Sequence, residues 1–275
     1  MKTSWEFPGC IGDLVDGPLE YCGRGRLGTT ILRGRNSRGR GYYLKAASLA
    51  SVEDLSRERQ ILGWLRDRLP VPEVMGYAED SGWAFLALSE GEGERSETSG
   101  QPVAETVALL GRTLSNIHIL SKAHCPVGET LDEELARAGC LLAKGWIDYE
   151  SFQADNDGRT PDEVYRELLN NRDFPEDLVF THGDFAMPNV LVRGGQVTSI
   201  LDWANARAGD RHRDFVVMRD SLQRNCGPDW IPAFLKAYGG GNAIDPARME
   251  FYALLDQMFS HFAPAAISPE WIGVR

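Results

Sequence analysis

Thr181-His182-Gly183-Asp184-Phe185-Ala186-Met187-Pro188-Asn189, followed by Ile200-Leu201-Asp202-Trp203, is the stretch that decides how this chain folds. Leu178-Val179-Phe180-Thr181 and Val190-Leu191-Val192 are short apolar, β-branched runs, and Arg193-Gly194-Gly195 is a tight turn into Val197-Thr198-Ser199-Ile200-Leu201. Such runs read as strands. The loop from His182 to Asn189 then lies between strands, and the turn returns the chain so that Asp202 ends beside Asn189. Pro188 stiffens the loop just before Asn189. Two carboxylates and a carboxamide meet at neighbouring strand ends, the side chains that a magnesium-dependent phosphoryl transfer needs. Asp184 would orient and deprotonate the attacking hydroxyl, while Asn189 and Asp202 would hold Mg2+. A surface hairpin would also use Asp and Asn, as turn formers. Both halves at this spacing favour a small-molecule kinase.

Upstream, the chain up to about residue 90 is strand-rich and basic, especially from Arg24 to Arg40. Leu19 to Cys22 and Thr29 to Leu32 read as strands around a glycine-bearing bend from Gly23 to Gly28. A strand, bend and strand with exposed amides can close over a triphosphate, which makes Gly28 and Thr29 candidate phosphate contacts. Lys45 ends the strand Tyr42-Tyr43-Leu44, where a lysine must be paired or point into a cleft. Helical spacing over Val52 to Leu65 places Glu58 within reach of it, so the pair could clamp the α- and β-phosphates; a solvated helix glutamate is the plain alternative. Trp83 to Leu88 reads as a buried strand, broken by Ser89-Glu90-Gly91-Glu92-Gly93. A two-lobed kinase would cross between lobes here, with backbone near Ser89 and Gly91 facing an adenine. That divides the chain into an N-terminal nucleotide-binding lobe, 1–90, and a C-terminal catalytic and substrate-binding lobe, 91–275. Beyond Val103 the pattern is mainly helical: Val103 to Leu120, Leu131 to Gly145, Pro161 to Asn170, Asp214 to Arg224, Trp230 to Tyr238 and Pro246 to Phe262.

The bulk properties agree. The chain has 275 residues, 43% hydrophobic and 25% charged, ordinary for a globular protein. No apolar run approaches the roughly 20 residues of a membrane span, and Met1 to Glu6 lacks the apolar core of a signal peptide. Five cysteines, an odd count with no close pair, suggest free thiols in a reducing cytoplasm. A formal charge of −11 disfavours a nucleic-acid partner and favours a cationic small-molecule substrate. A monomer or homodimer is expected.

Taken together, Tyr43-Leu44-Lys45, Arg57-Glu58-Arg59, Trp64-Leu65, Leu69-Pro70-Val71-Pro72, Leu88-Ser89-Glu90, Cys125-Pro126 and Leu131-Asp132 form one series. Asp177-Leu178-Val179, His182-Gly183-Asp184, Asn189, Asp202, Gly209-Asp210-Arg211, Asp214 and Phe251-Tyr252-Ala253-Leu254-Leu255-Asp256 continue it. In order and near spacing, the chain resembles the aminoglycoside phosphotransferase family, above all the 3′-phosphotransferases. The resemblance implies an α+β, protein-kinase-like, two-lobed fold that transfers the γ-phosphate of ATP, or alternatively GTP, to an antibiotic hydroxyl. It implies Lys45 and Glu58 as the phosphate-clamping pair, Asp184 as base, and Asn189 and Asp202 as magnesium ligands. His182 and Asp214 would be structural. The acidic run Asp148 to Asp157, with Asp155 and Asp157, lies where relatives place a drug-binding loop, and Asn205, Asp256 and Phe259 fall at other acceptor positions.

Three departures bear on the acceptor. Where relatives have Asp-x-Gly-Arg, this chain reads Asp202-Trp203-Ala204-Asn205; Gln257 replaces an acid after Asp256; and the chain continues from Ser260 to Arg275 past the phenylalanine where many relatives end. None touches the phosphoryl-transfer residues. The alternatives are a kinase of the same fold acting on another hydroxylated antibiotic, such as a nucleoside type, or on a metabolite, and a non-catalytic nucleotide-binding module.

Overall fold

A computed structural model describes residues 7–25, 28–49, 53–240 and 244–261. The first third of the chain alternates strand and turn because Gly and Asn punctuate it. Asn36 accepts from the backbone N–H groups of Arg38 and Arg40 at 3.2 and 3.0 Å, and Gly39 turns at φ +75°, closing the hairpin between β2 (Thr30–Arg35) and β3 (Gly41–Ser48). With β1 (Glu20–Arg24), β4 (Val74–Asp80) and β5 (Trp83–Ser89) they form an antiparallel sheet in the order β1-β2-β3-β5-β4. Its centre is apolar: Leu32, Tyr42, Leu44 and Phe85 are buried with Ile11 of α1 (Gly9–Leu14). Helix α2 (Leu55–Leu65) begins where Asp54 accepts from the N–H of Ser56 at 2.8 Å and of Arg57 at 3.3 Å. This N-cap satisfies amides that the helix itself cannot. The helix then buries Leu55, Ile61, Leu62 and Leu65 beneath the sheet.

Past the crossing, β6 (Glu94–Arg95), β8 (Val190–Arg193) and β9 (Gln196–Ile200) form a three-stranded sheet, and β7 (Leu178–Thr181) pairs with β10 (Arg207–Asp210). Around them pack α3 (Val103–His118), α4 (Leu131–Ala143), α5 (Tyr149–Asp155), α6 (Pro161–Asn170), α7 (His212–Asn225), α8 (Ile231–Tyr238) and α9 (Pro246–Ser260). One apolar core runs from α2 and β5 through α3 and the segment around Phe185 to α7 and α8, so the loop between β7 and β8 rests on it. A second joins α4, α5, α6 and α9. The fold is thus α+β, with a strand-rich N-terminal part and a helical C-terminal part.

Four elements depart from expectation. The acidic run after Asp148 is a helix, not a loop: Asp148 accepts from the N–H of Glu150 and Ser151 at 3.1 and 3.2 Å, and Phe152 is buried. Strands β4 and β10 and helix α1 carry no periodic signal. β10 reads Arg-Ala-Gly-Asp and is a strand because β7 supplies its partner, Thr181 opposite Arg207. Context overrides propensity there. Arg26, Leu27, Val52 and the tail after His261, on which the bend, a helix start and the chain extension were read, lie outside the described residues.

Candidate active site

Lys45 sits mid-strand in β3, opposite Ile31 and Leu86, with a side chain 11% exposed. Its ammonium donates to both carboxylate oxygens of Glu58 at 2.8 and 2.9 Å and to Asp202 at 2.9 Å. Burial alone would lower its pKa, but Asp202, Glu58 and Glu53 raise it, so it stays a fixed cation. Burial pushes the fully enclosed Glu58 carboxyl up, and Lys45 opposes this. Asp202 is the most exposed member, 46% accessible, and its backbone is left-handed at φ +62°. For a non-glycine residue that conformation costs about 1 kcal/mol or more and clusters at functional sites.

The loop carrying Asp184 is built from the inside. Asp214 of α7, wholly buried, accepts from the backbone N–H of His182 at 2.8 Å and of Gly183 at 2.7 Å and pairs with His118 at 2.9 Å. Burial would raise its carboxyl, but the His118 hydrogen bond and charge hold it low. Gly183 turns at φ +81°, with space for no Cβ: one would lie 2.4 Å from the Asn205 carbonyl oxygen. The His182 ring leans on buried Trp203 at 4.3 Å and shares its nitrogens within the loop. Nε2 lies 2.9 Å from the Leu201 carbonyl, which can only accept, and Nδ1 takes the Asp184 N–H at 3.2 Å. These contacts select the neutral Nε2–H tautomer, and burial lowers the His182 pKa. Asn189 donates through its amide nitrogen to the Asp184 carbonyl at 2.9 Å and carboxylate at 3.1 Å, which engages its nitrogen and not its side-chain oxygen. The Leu201 N–H donates to the Asn189 carbonyl at 2.7 Å, bringing Asp202 alongside.

Asp184, Asp202 and Asn205 thus share one cleft of about 150 Å³ with Lys45, Thr29 and Gly25. Across 234 residues, 19–252, this chain matches the family model described as the phosphotransferase enzyme family. The chain belongs to that family.

Among relatives of this phosphotransferase, the aminoglycoside 3′-phosphotransferase of Niallia circulans is 30% identical over 238 residues, 86% of this chain and 90% of the relative. That of Streptomyces fradiae is 34% identical over 232 residues, 79% and 85%. The crystal structure of an aminoglycoside-3′-phosphotransferase of type VIII superposes with a TM-score of 0.74 at 28% identity, covering 88% of this chain and 94% of its own. The chain is accordingly an enzyme that transfers a phosphoryl group to a hydroxyl.

The phosphotransferase's other candidate residues are placed as follows. Gly28 (φ +94°) leads into buried Thr29 at the cleft. Ser89 closes β5, its hydroxyl accepting the Glu73 N–H at 2.9 Å, and Gly91 passes so close to the β8–β9 hairpin that a Cβ would meet Leu191 at 2.7 Å. On the acceptor side, Asn205 lines the cleft, whereas Asp155, Asp157, Asp256 and Phe259 are not among the described residues that do. Asp155 and Asp157 are exposed on or just after α5. Asp256 accepts from Ser260 at 3.0 Å and acts on Arg213, and Phe259 is buried in the second core with the Arg137 guanidinium 4.3 Å over its ring.

What sequence reasoning missed is a charged floor. Glu53, Arg57, Glu129, Arg137 and Arg207 all line the cleft. Glu129 pairs with Arg207 at 2.9 Å and Arg137 at 3.1 Å, and Glu134 with Arg207 and Arg213. Burial would raise Glu134, but its arginines hold it at about 2. These residues come from α2, α4, β10, α7 and the loops before α2 and α4, so no single local spacing groups them all in the sequence.

Proposed function

We propose that this enzyme transfers the γ-phosphate of ATP to a hydroxyl of an antibiotic of the aminoglycoside kind, as the names of its relatives suggest. The observation that carries the reading is the Lys45 ammonium held between Glu58 and Asp202, across one cleft from Asp184. Lys45 would hold the α- and β-phosphates, kept charged and oriented by Glu58. Asn189 and Asp202 would hold magnesium: one carboxylate and one carboxamide oxygen are a hard donor set that leaves further positions for phosphate and water. When bound, the ion supplies charge neutralisation on the transferring phosphate. Asp184, oriented by Asn189, receives the acceptor's hydroxyl proton as that oxygen bonds the γ-phosphorus and the bond to the β–γ bridging oxygen breaks, and ADP leaves with its phosphates still facing Lys45. His182 transfers no proton; its two nitrogens are spent on the loop.

A second reading draws on the charged floor. Its Glu129 is already engaged by Arg137 and Arg207, which reduces what is left for ammonium groups and favours a less cationic acceptor, such as a nucleoside antibiotic. ADP release in Mg-ATP over a panel of kanamycin- and neomycin-like compounds, nucleoside antibiotics, sugars and amino alcohols separates the two. Turnover confined to the aminoglycosides supports the first reading; silence there with activity elsewhere removes it. Nucleotide binding without turnover on any acceptor returns the non-catalytic alternative.

A further inference from the structure

Glu53 is a fourth carboxylate at the Lys45 centre, beside Glu58, Asp202 and Asp184, and none of the chemistry above uses it. It stands just before the Asp54 cap of α2 and points back toward Thr29, whose hydroxyl donates to its Oε2. The same oxygen lies 3.6 Å from where a Cβ on Gly25 would be, and Gly25 and Thr29 are joined by a backbone hydrogen bond of 2.8 Å. The carboxylate therefore lies against Gly25 and Thr29. Among the described residues, charged groups act on it from Lys45 on β3, Glu58 on α2 and Asp202 after β9. Burial raises its own carboxyl, Lys45 and Thr29 oppose the rise, and Asp202 adds to it.

A carboxylate against Gly25, hydrogen-bonded to Thr29 and across from Lys45, occupies a place that suits a triphosphate oxygen. We propose that Glu53 is a built-in stand-in for nucleotide phosphate, occupying the phosphate subsite between Thr29 and Lys45 when no nucleotide is bound, so that nucleotide entry displaces it and its charge sets nucleotide affinity. The inference rests on reading the cleft as the nucleotide site. In the nucleotide-free protein Glu53 partly balances Lys45 and keeps Thr29 in place. Once a triphosphate arrives, the same carboxylate is a like charge that must move aside, and nucleotide affinity is lower by that amount.

Calorimetric titration of the whole chain with adenosine, ADP and magnesium–AMP-PNP tests it, comparing wild type, Glu53→Gln and Glu53→Ala. Glutamine keeps the shape and an acceptor for Thr29 while removing the charge. Removing one like charge at partly buried range should tighten ADP and AMP-PNP by about fivefold or more. Adenosine, which has no phosphate, should bind all three proteins alike. In steady state the KM for nucleotide should fall with kcat held within about threefold, the pattern of altered ground-state binding. Unchanged or weaker ADP binding by Glu53→Gln overturns the inference, as does an equal gain for adenosine. A wild-type protein that binds neither ADP nor AMP-PNP overturns the reading of the cleft itself, which is a different result.

Discussion

Asp184 and His182 stand two residues apart, yet the chemistry asks opposite things of them. Asp184 has to meet a hydroxyl, so Asp184→Asn should cut kcat by on the order of 10²–10⁴-fold and leave ADP affinity within error; steady-state kinetics with calorimetry checks both. His182 has to stay neutral. Its folded pKa lies below the ordinary 6.5, so the unfolded chain gains a proton that the folded one refuses as pH falls. The sign follows: its contribution is complete above about pH 6.5 and shrinks below it, by at most about 1.4 kcal/mol at pH 5.5. Urea melts at pH 7.5 and 5.5 should show wild type losing more stability on acidification than His182→Gln. Equal losses would remove His182 as the responsible group.

At the scale of elements, the loop between β7 and β8 depends on pieces far along the chain. Trp203 packs 6.1 Å from Phe180 in a stacked arrangement, α7 offers Asp214 to the loop amides, and Asn205 closes over Gly183. Gly183→Ala needs a left-handed alanine whose Cβ meets backbone, which cannot swing away as a side chain could. We expect a loss of about 2 kcal/mol or more, a fall in Tm of roughly 5 °C, and a larger fall in kcat than in nucleotide affinity. Thermal melts and single-turnover rates measure these effects. Helix ends follow local rules and were legible: Thr130 and Thr160 each form a capping box with Glu133 and Glu163. Thr160→Ala should cost about 1 kcal/mol in a denaturant melt without touching turnover. Helix α5 was less legible because seven residues crowded with acids hide a single buried phenylalanine, Phe152.

For the whole molecule, the cleft joins the strand-rich and helical parts through ion pairs that include Lys45 to Asp202, whose members are 157 residues apart, and Arg57 to Glu129 at 3.8 Å. A nucleotide that binds both sides should stabilise the entire fold. At a hundredfold excess over Kd, magnesium–AMP-PNP should add about 2.7 kcal/mol, a rise of roughly 5–10 °C in Tm for a chain of this size. Lys45→Ala should erase most of that rise, and a full rise in that variant would place the phosphates elsewhere. No helix among the described residues is long and apolar enough to cross a membrane.

The order and spacing of Lys45, Glu58, Asp184, Asn189 and Asp202 were written in the sequence, because a strand, a tight turn and a loop are local and their residue types betray them. Membership of the phosphotransferase family followed from the same residues. Only the folded chain decided that Asp214 reaches back to the loop, that Arg-Ala-Gly-Asp is a strand, and that Glu53, Glu129 and three arginines line the site. The physical reason is that charge pairing between distant segments has no period to read: it is set by how the helices pack, and the same residues on an exposed surface would leave an identical trace in the sequence.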